Sequence, residues 1–334
     1  MIAERGADFG YMKLTKTQST HIQLLRGLAI AAVVLIHNTP SGMAQVAIRP
    51  FLNFSVGMFL FLSGMLSCKD TWNPKKRIIK VLIPYGVWTL IYVCAYNTQS
   101  ISSIPVRYIK SLIVADGAAI MYYIFVYCQF TILIPIIDRL AKSKYKYVGF
   151  VIAPVEILVM RSLPLIMGYQ YNAYLQIVVN VSCLGWFTYF YLGYLLANGH
   201  LTVKCRNTTL TICLALSILL QIGESYWYYS LGTANCGSQM KITAVLTGVF
   251  CVLLAYRFIC SAKAYTCKIL LMLGDYAFGI YFSHLLIMFV LRFIPYYEKY
   301  VIYPVNAAVA IAISLSLCVL MKKALKKHSW FMGL

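Results

Sequence analysis

Arg26 and His37 share one apolar run, HIQLLRGLAIAAVVLIHNT, and both have chemistry to offer. They stand 11 residues apart. On a helix that spacing leaves them within about 20° of one face and ~16 Å apart along the axis. Either group is costly in an apolar medium unless it faces a polar cavity. An imidazole titrates near neutral pH, so it can take up a proton or attack as a nucleophile. A guanidinium pairs with phosphates through charge-assisted hydrogen bonds. The plainer readings are a boundary arginine that snorkels to the surface and a histidine that caps a helix exit.

Other residues offer supporting chemistry. In NFSVGMFLFLSGMLSCK, Ser63 and Gly64 interrupt an aromatic run, as small residues do where membrane helices touch. In KKRIIKVLIPYGVW, the bases Lys76, Arg77 and Lys80 are suited to phosphates, although a cytoplasmic loop would carry bases in any case. The loop NTPSGMAQVAIRP that follows His37 holds no carboxylate. An acidic partner for His37 must come from elsewhere, and Glu156, in the middle of an apolar run, is the first candidate. Asp116 and Glu224 are secondary candidates in loops, and Asp275 reads as a helix N-cap. His284, beside Tyr281 and Ser283, is either a packed, hydrogen-bonded histidine or part of the chemistry. His21, His200 and His328 read as surface residues.

The elements that must position these groups follow from composition. The 334 residues are 61% hydrophobic and 11% charged, with mean hydropathy +0.76. Ordinary globular domains are about half apolar and roughly a quarter charged, so lipid must cover most of this surface. Runs of roughly 20 residues, long enough for a hydrocarbon core of about 30 Å, recur from end to end. Ten are expected: Leu24–Met43, Pro50–Cys68, Ile78–Tyr96, Ala118–Ile137, Tyr147–Leu165, Leu175–Ala197, Thr208–Ile222, Ile242–Ile259, Ile269–Leu291 and Val301–Met321. The expected fold is all-α, a polytopic membrane helical bundle in one domain spanning 1–334. Residues 1–20 form a segment before the first span, and 322–334 a basic tail.

Charge sets the orientation. With the N-terminus inside, 21 of the 29 lysines and arginines fall on the cytoplasmic face, seven fall outside and Arg26 lies within the first span. The bias holds loop after loop, which places both termini in the cytoplasm and supports the count of ten. It also accounts for the net charge of +20, so a nucleic-acid partner is not needed to explain it. Most of the 11 cysteines sit in or beside apolar runs, and no CxxC pair occurs. They read as packing residues, and no metal site is expected. Met1 to Thr20 lacks the pattern of a signal peptide.

Taken in order, these segments resemble acyltransferase family 3, the integral membrane O-acyltransferases that include bacterial surface-sugar acetyltransferases. The resemblance covers most of the chain. The family's pattern of Arg, ten residues, then His falls on Arg26 and His37. Its F-x-S-G element falls on Phe61, Ser63 and Gly64, and its base-rich I-P-Y segment on KRIIKVLIPY. YYIFVYCQFTILIPIID resembles its fourth-helix segment. FGIYFSHLLIM resembles its late helix with Tyr-x-x-His, here Tyr281 and His284. The chain departs from the family at its His-x-Trp-like element, where Ile120, Met121, Tyr122 and Tyr123 stand.

The resemblance implies transfer of an acyl group, usually acetyl, from cytoplasmic acyl-CoA to a hydroxyl of a glycan that is exposed outside or carried on a lipid. It implies Arg26, Lys76 and Arg77 at the coenzyme's phosphates. His37 would be a general base or an acyl carrier, with Ser63, Tyr122 or Tyr123 at the oxyanion. A cell membrane, the inner membrane of a bacterium, is the expected location. A transporter or flippase for a small molecule or lipid-linked sugar would share the composition, and so would an assembly subunit without chemistry. Requirements for coenzyme A and for His37 separate them.

Overall fold

The computed structural model describes residues 14–97, 101–167 and 181–334, and these contain helices and turns but no strand. Helix α1, Lys16–Asn38, starts at a capping box in which Thr15 and Gln18 satisfy each other's backbone amides. A short α2, Met43–Ile48, leads through a 3-10 turn at Arg49–Phe51 into α3, Phe54–Met65. Asn73 caps α4, Pro74–Tyr96, which has proline in its first turn, where the missing amide costs nothing. Next come α5 (Ile104–Val114), α6 (Tyr122–Lys142), α7 (Gly149–Met167) and α8 (Phe187–Ala197). The rest are α9 (Asn207–Ser230), α10 (Ile242–Ile259), α11 (Lys268–Asp275), α12 (Ala277–Leu291) and α13 (Val305–Leu325).

Among the described residues, seven stretches are long and apolar enough to cross a membrane, and α11 with α12 makes up to eight. Helices also stand at the two remaining expected positions. The fifth is α7, which carries Glu156 and Arg161. At the sixth, α8 forms the end of the expected span, and part of what precedes it lies outside the described residues. The ninth expected span is not one straight helix, because α11 and α12 meet at an angle of 83°. Asp275 ends α11 instead of capping α12, whose N-cap position is Tyr276.

Helix α9 shows what surrounds the bundle. It buries Ser217, Gln221 and Ser225 on one stripe and exposes Leu216, Leu219 and Leu220. A helix in water does the reverse. The polar stripe is turned inward, away from hydrocarbon, and the leucines face outward, as lipid requires. The chain is therefore a multi-pass membrane protein.

Two close helix contacts set the frame. A Cβ at Gly64 would strike the Phe190 carbonyl, and one at Gly193 would strike the Phe61 carbonyl, so α3 and α8 touch backbone to backbone. Gly27 and Gly274 do the same for α1 and α11, against the carbonyls of Leu270 and Gln23. Two apolar cores result, one around α3, α6, α8 and α10 and the other around α1, α4, α6, α12 and α13. Phe59 and Tyr123 pack against both at the seam between them, and they share a cavity with Arg26 and His37 of α1.

Candidate active site

A cavity of about 1370 Å³ follows the seam. That exceeds the roughly 300–1,000 Å³ of ordinary small-molecule sites, which leaves room for a long substrate or for two. Arg77, Lys80, Lys322, Lys326 and Lys327 line one end, the end that the charge bias places in the cytoplasm. Arg26, Ser63, Tyr123 and Tyr127 line the middle. His37 and Arg49 line the other end, with the loop residues Gly237, Ser238 and Gln239. The Arg26 and His37 spacing on α1 thus runs along the cavity.

Arg26 is held by a chain of side chains. Its Nη1 donates to Gln23 Oε1 at 3.1 Å, and Gln23 Nε2 donates to Asp275 Oδ1 at 2.7 Å. The close α1–α11 contact at Gly27 and Gly274 brings Asp275 within reach. Asp275 acts here through Gln23 and not as a cap.

His37 has a histidine neighbour. The His284 ring lies 5.3 Å from it, centroid to centroid. His284 is fully buried, and its Nδ1 is 3.0 Å from the Ile280 carbonyl one turn earlier. A carbonyl only accepts, so the bond places the proton on Nδ1 and leaves Nε2 with a bare lone pair. That Nε2 has no hydrogen-bond partner among the described residues. The helix carrying it is pinned. Tyr92 donates to the Phe282 carbonyl at 2.7 Å and accepts from the Leu286 amide at 3.1 Å, and Tyr281 donates to the Ile120 carbonyl.

Arg49 closes the far end. Its Nη2 donates to the Ile36 carbonyl at 3.2 Å and its Nη1 to the Gly237 carbonyl at 3.3 Å, tying the end of α1 to the loop before α10. The same loop is held by Arg161, which donates to Ser238 Oγ and the Met240 carbonyl, and by Lys241, which donates to the Cys236 carbonyl and Ser225 Oγ. Lys241 is fully buried, and burial pushes its ammonium down to about 8.

Of the residues expected at the site, Arg26, His37, Ser63, Arg77, Tyr122 and Tyr123 line the cavity. Ser63 also donates to the Phe59 carbonyl at 2.8 Å, and Arg77 uses two donors on Ser67 Oγ and the Leu66 carbonyl, closing the end of α3. Lys76 is exposed and does not line the cavity, whereas Lys80, one turn on, does. Glu156 does not line it either: its Oε2 is buried beside Gly185 with no hydrogen-bond partner among the described residues. The group at His37 is His284 instead. His21 is not a surface residue, being fully buried against Phe258 with ring centroids 4.3 Å apart.

Gln23, Asp275, Arg49 and the tail lysines were not singled out for the site from sequence. Gln23 sits three residues before Arg26, the spacing at which helix side chains meet. That was the one local signal, and Asp275 needs the tertiary fold.

No curated protein and no solved structure matches the chain. The family model for the acyltransferase domain of acyltransferase family 3 matches residues 20–323, nearly the whole chain. With Arg26 and His37 set along a single cavity inside a membrane bundle, the chain belongs to acyltransferase family 3 and is a membrane acyltransferase.

Proposed function

We propose that the protein carries an acyl group, acetyl in the simplest case, from acyl-CoA to a hydroxyl of a cell-surface or lipid-linked glycan. The single observation behind this reading is the cavity that joins a base-lined end to the end holding His37. Acyl-CoA would bind at the basic, cytoplasmic end with its thioester arm running past Arg26. The glycan would approach His37 from the opposite face of the plasma membrane.

The acceptor oxygen attacks the thioester carbon as His37 takes its proton, the carbon–sulfur bond breaks, and the coenzyme leaves as a thiolate that regains a proton. In a two-step form, His37 first carries the acyl group on its imidazole. The Tyr123 hydroxyl, which reaches Ser63, and Tyr122 supply donors for the developing oxyanion.

The test is label transfer from radiolabelled acetyl-CoA to glycan in membranes holding equal amounts of wild type, Arg26→Ala or His37→Ala. Transfer by wild type and its loss in both variants supports the reading. Full transfer by His37→Ala overturns the mechanism. Glycan or small-molecule movement that needs no coenzyme A assigns the cavity to transport. Label retained on the wild-type protein without acceptor, and absent from His37→Ala, selects the two-step form.

A further inference from the structure

Beyond α13 the chain turns back into the bundle. Lys326–Met332 forms a 3-10 helix. Trp88 Nε1 donates to the Met332 carbonyl at 3.2 Å, and the buried Ser329 donates to the Leu334 carbonyl at 3.2 Å. The side chain of Leu334 fills the space beside Gly279, where a Cβ would strike it. These contacts fix the segment in place.

So docked, it lays Lys326, Lys327 and Trp330 along the same end of the cavity as Arg77, Lys80 and Lys322. Trp330 keeps 43% of its surface exposed while Phe331 stacks on it at 3.9 Å between ring centroids. Asp275, an acid that also lines the cavity, is engaged by Gln23. Five cationic side chains around an accessible indole match one kind of ligand in particular. Phosphates satisfy the cations by charge-assisted hydrogen bonds, and a purine stacks on the indole. A sugar or an acyl chain would leave the cations unused.

We propose that the tail is a nucleotide site, with Trp330 against the purine of the acyl donor and Lys326 and Lys327 on its phosphates. This rests on the acyl-CoA reading above and names what holds the far end of that donor. The pantetheine arm then enters the cavity toward Arg26, so the tail measures the donor's length from one end and His37 receives its thioester at the other.

An aromatic side chain flanked by lysines at a membrane surface can also be a simple interfacial anchor. The experiment separates the two. Full-length protein in nanodiscs of neutral phosphatidylcholine is titrated with radiolabelled acetyl-CoA and, separately, with S-acetylpantetheine, which lacks both the nucleotide and every phosphate. Trp330→Ala, and Lys326→Gln with Lys327→Gln, should each weaken acetyl-CoA binding about tenfold, the scale of one lost base stack. Binding of the truncated donor should stay the same, Trp330→Phe should keep most of the affinity, and adenosine 3′,5′-bisphosphate should compete with acetyl-CoA on wild type. Equal acetyl-CoA binding by wild type and variants would overturn the tail site while leaving the acyl-CoA reading standing. An equal loss for both donors would assign the tail to folding or anchoring and overturn it too. A wild type that binds neither donor would remove the acyl-CoA reading and the tail site with it.

Discussion

The imidazoles of His37 and His284 face one another at 5.3 Å between centroids, the first on α1 and the second on α12. His284 is oriented by the Ile280 carbonyl and presents a bare Nε2. It can accept a hydrogen bond from His37 without competing for a backbone partner. His37 lines the end of the cavity away from the lysines, and His284, fully buried behind it, does not line the cavity itself.

His284→Ala should therefore lower kcat for acyl transfer about tenfold, against about 100-fold or more for His37→Ala, the range for loss of a general base. KM for acetyl-CoA should not move in either. Steady-state kinetics at matched expression decide it: a His284 variant with raised KM and normal kcat would place this histidine at the donor and not at the reacting end.

The Asp275–Gln23–Arg26 chain makes a separate prediction. Gln23→Ala frees the Arg26 guanidinium from its only hydrogen-bonded side-chain orienter among the described residues. Transfer should fall about tenfold, and adding Gln23→Ala to Arg26→Ala should cost little more, because groups acting as a unit are non-additive. Additive losses in the double-mutant cycle would show that Gln23 acts independently of Arg26.

Ser63 and Gly64 are adjacent but should behave oppositely. Gly64→Ala forces a methyl into the Phe190 carbonyl, and Gly193→Ala does the same to Phe61, where backbones cannot give way as side chains do. Each should destabilise the bundle by about 1–3 kcal/mol or more. Ser63→Ala removes a hydroxyl that donates to its own helix at Phe59 and is reached by Tyr123, so the fold should persist and any loss should appear in kcat. Thermal unfolding in detergent, read beside activity, separates the two. A stable, fully folded Gly64→Ala protein would contradict the close contact.

What could be read from the sequence divides along the same lines. The membrane bundle was legible because apolar runs of spanning length and the charge bias are both local signals, and the Arg26–His37 face was legible because one helix carries both residues. The break between α11 and α12 was not, since hydropathy averages across the Asp275–Ala277 bend that positions the acid beside Gln23. Glu156 drew attention as a charge in an apolar run, yet the structure turns it toward Gly185. His284 outranks it at His37 through packing between helices far apart in sequence, which no spacing rule reports. His21 looked like a surface residue because it lies near the start of α1, and only the folded contact with Phe258 buries it.

Lys241 offers a prediction about stability and pH. It lies just before α10, fully buried, with its Nζ on the Cys236 carbonyl and Ser225, and burial lowers its ammonium from the usual 10.5 to about 8. Below about 8 both folded and unfolded chains hold the proton, and the folded chain carries the full cost of a buried charge. Between about 8 and 10.5 the unfolded chain holds a proton that the folded chain has released. The unfolded state then binds more protons, so stability contributed by this site rises with pH across that window and levels off above it. Lys241→Met removes the titration. The unfolding temperature of the wild type should therefore climb relative to Lys241→Met as pH is raised from 7.5 to 10.5. A difference between the two proteins that stays flat over the same range would mean that the amine is solvated and keeps its ordinary affinity for the proton.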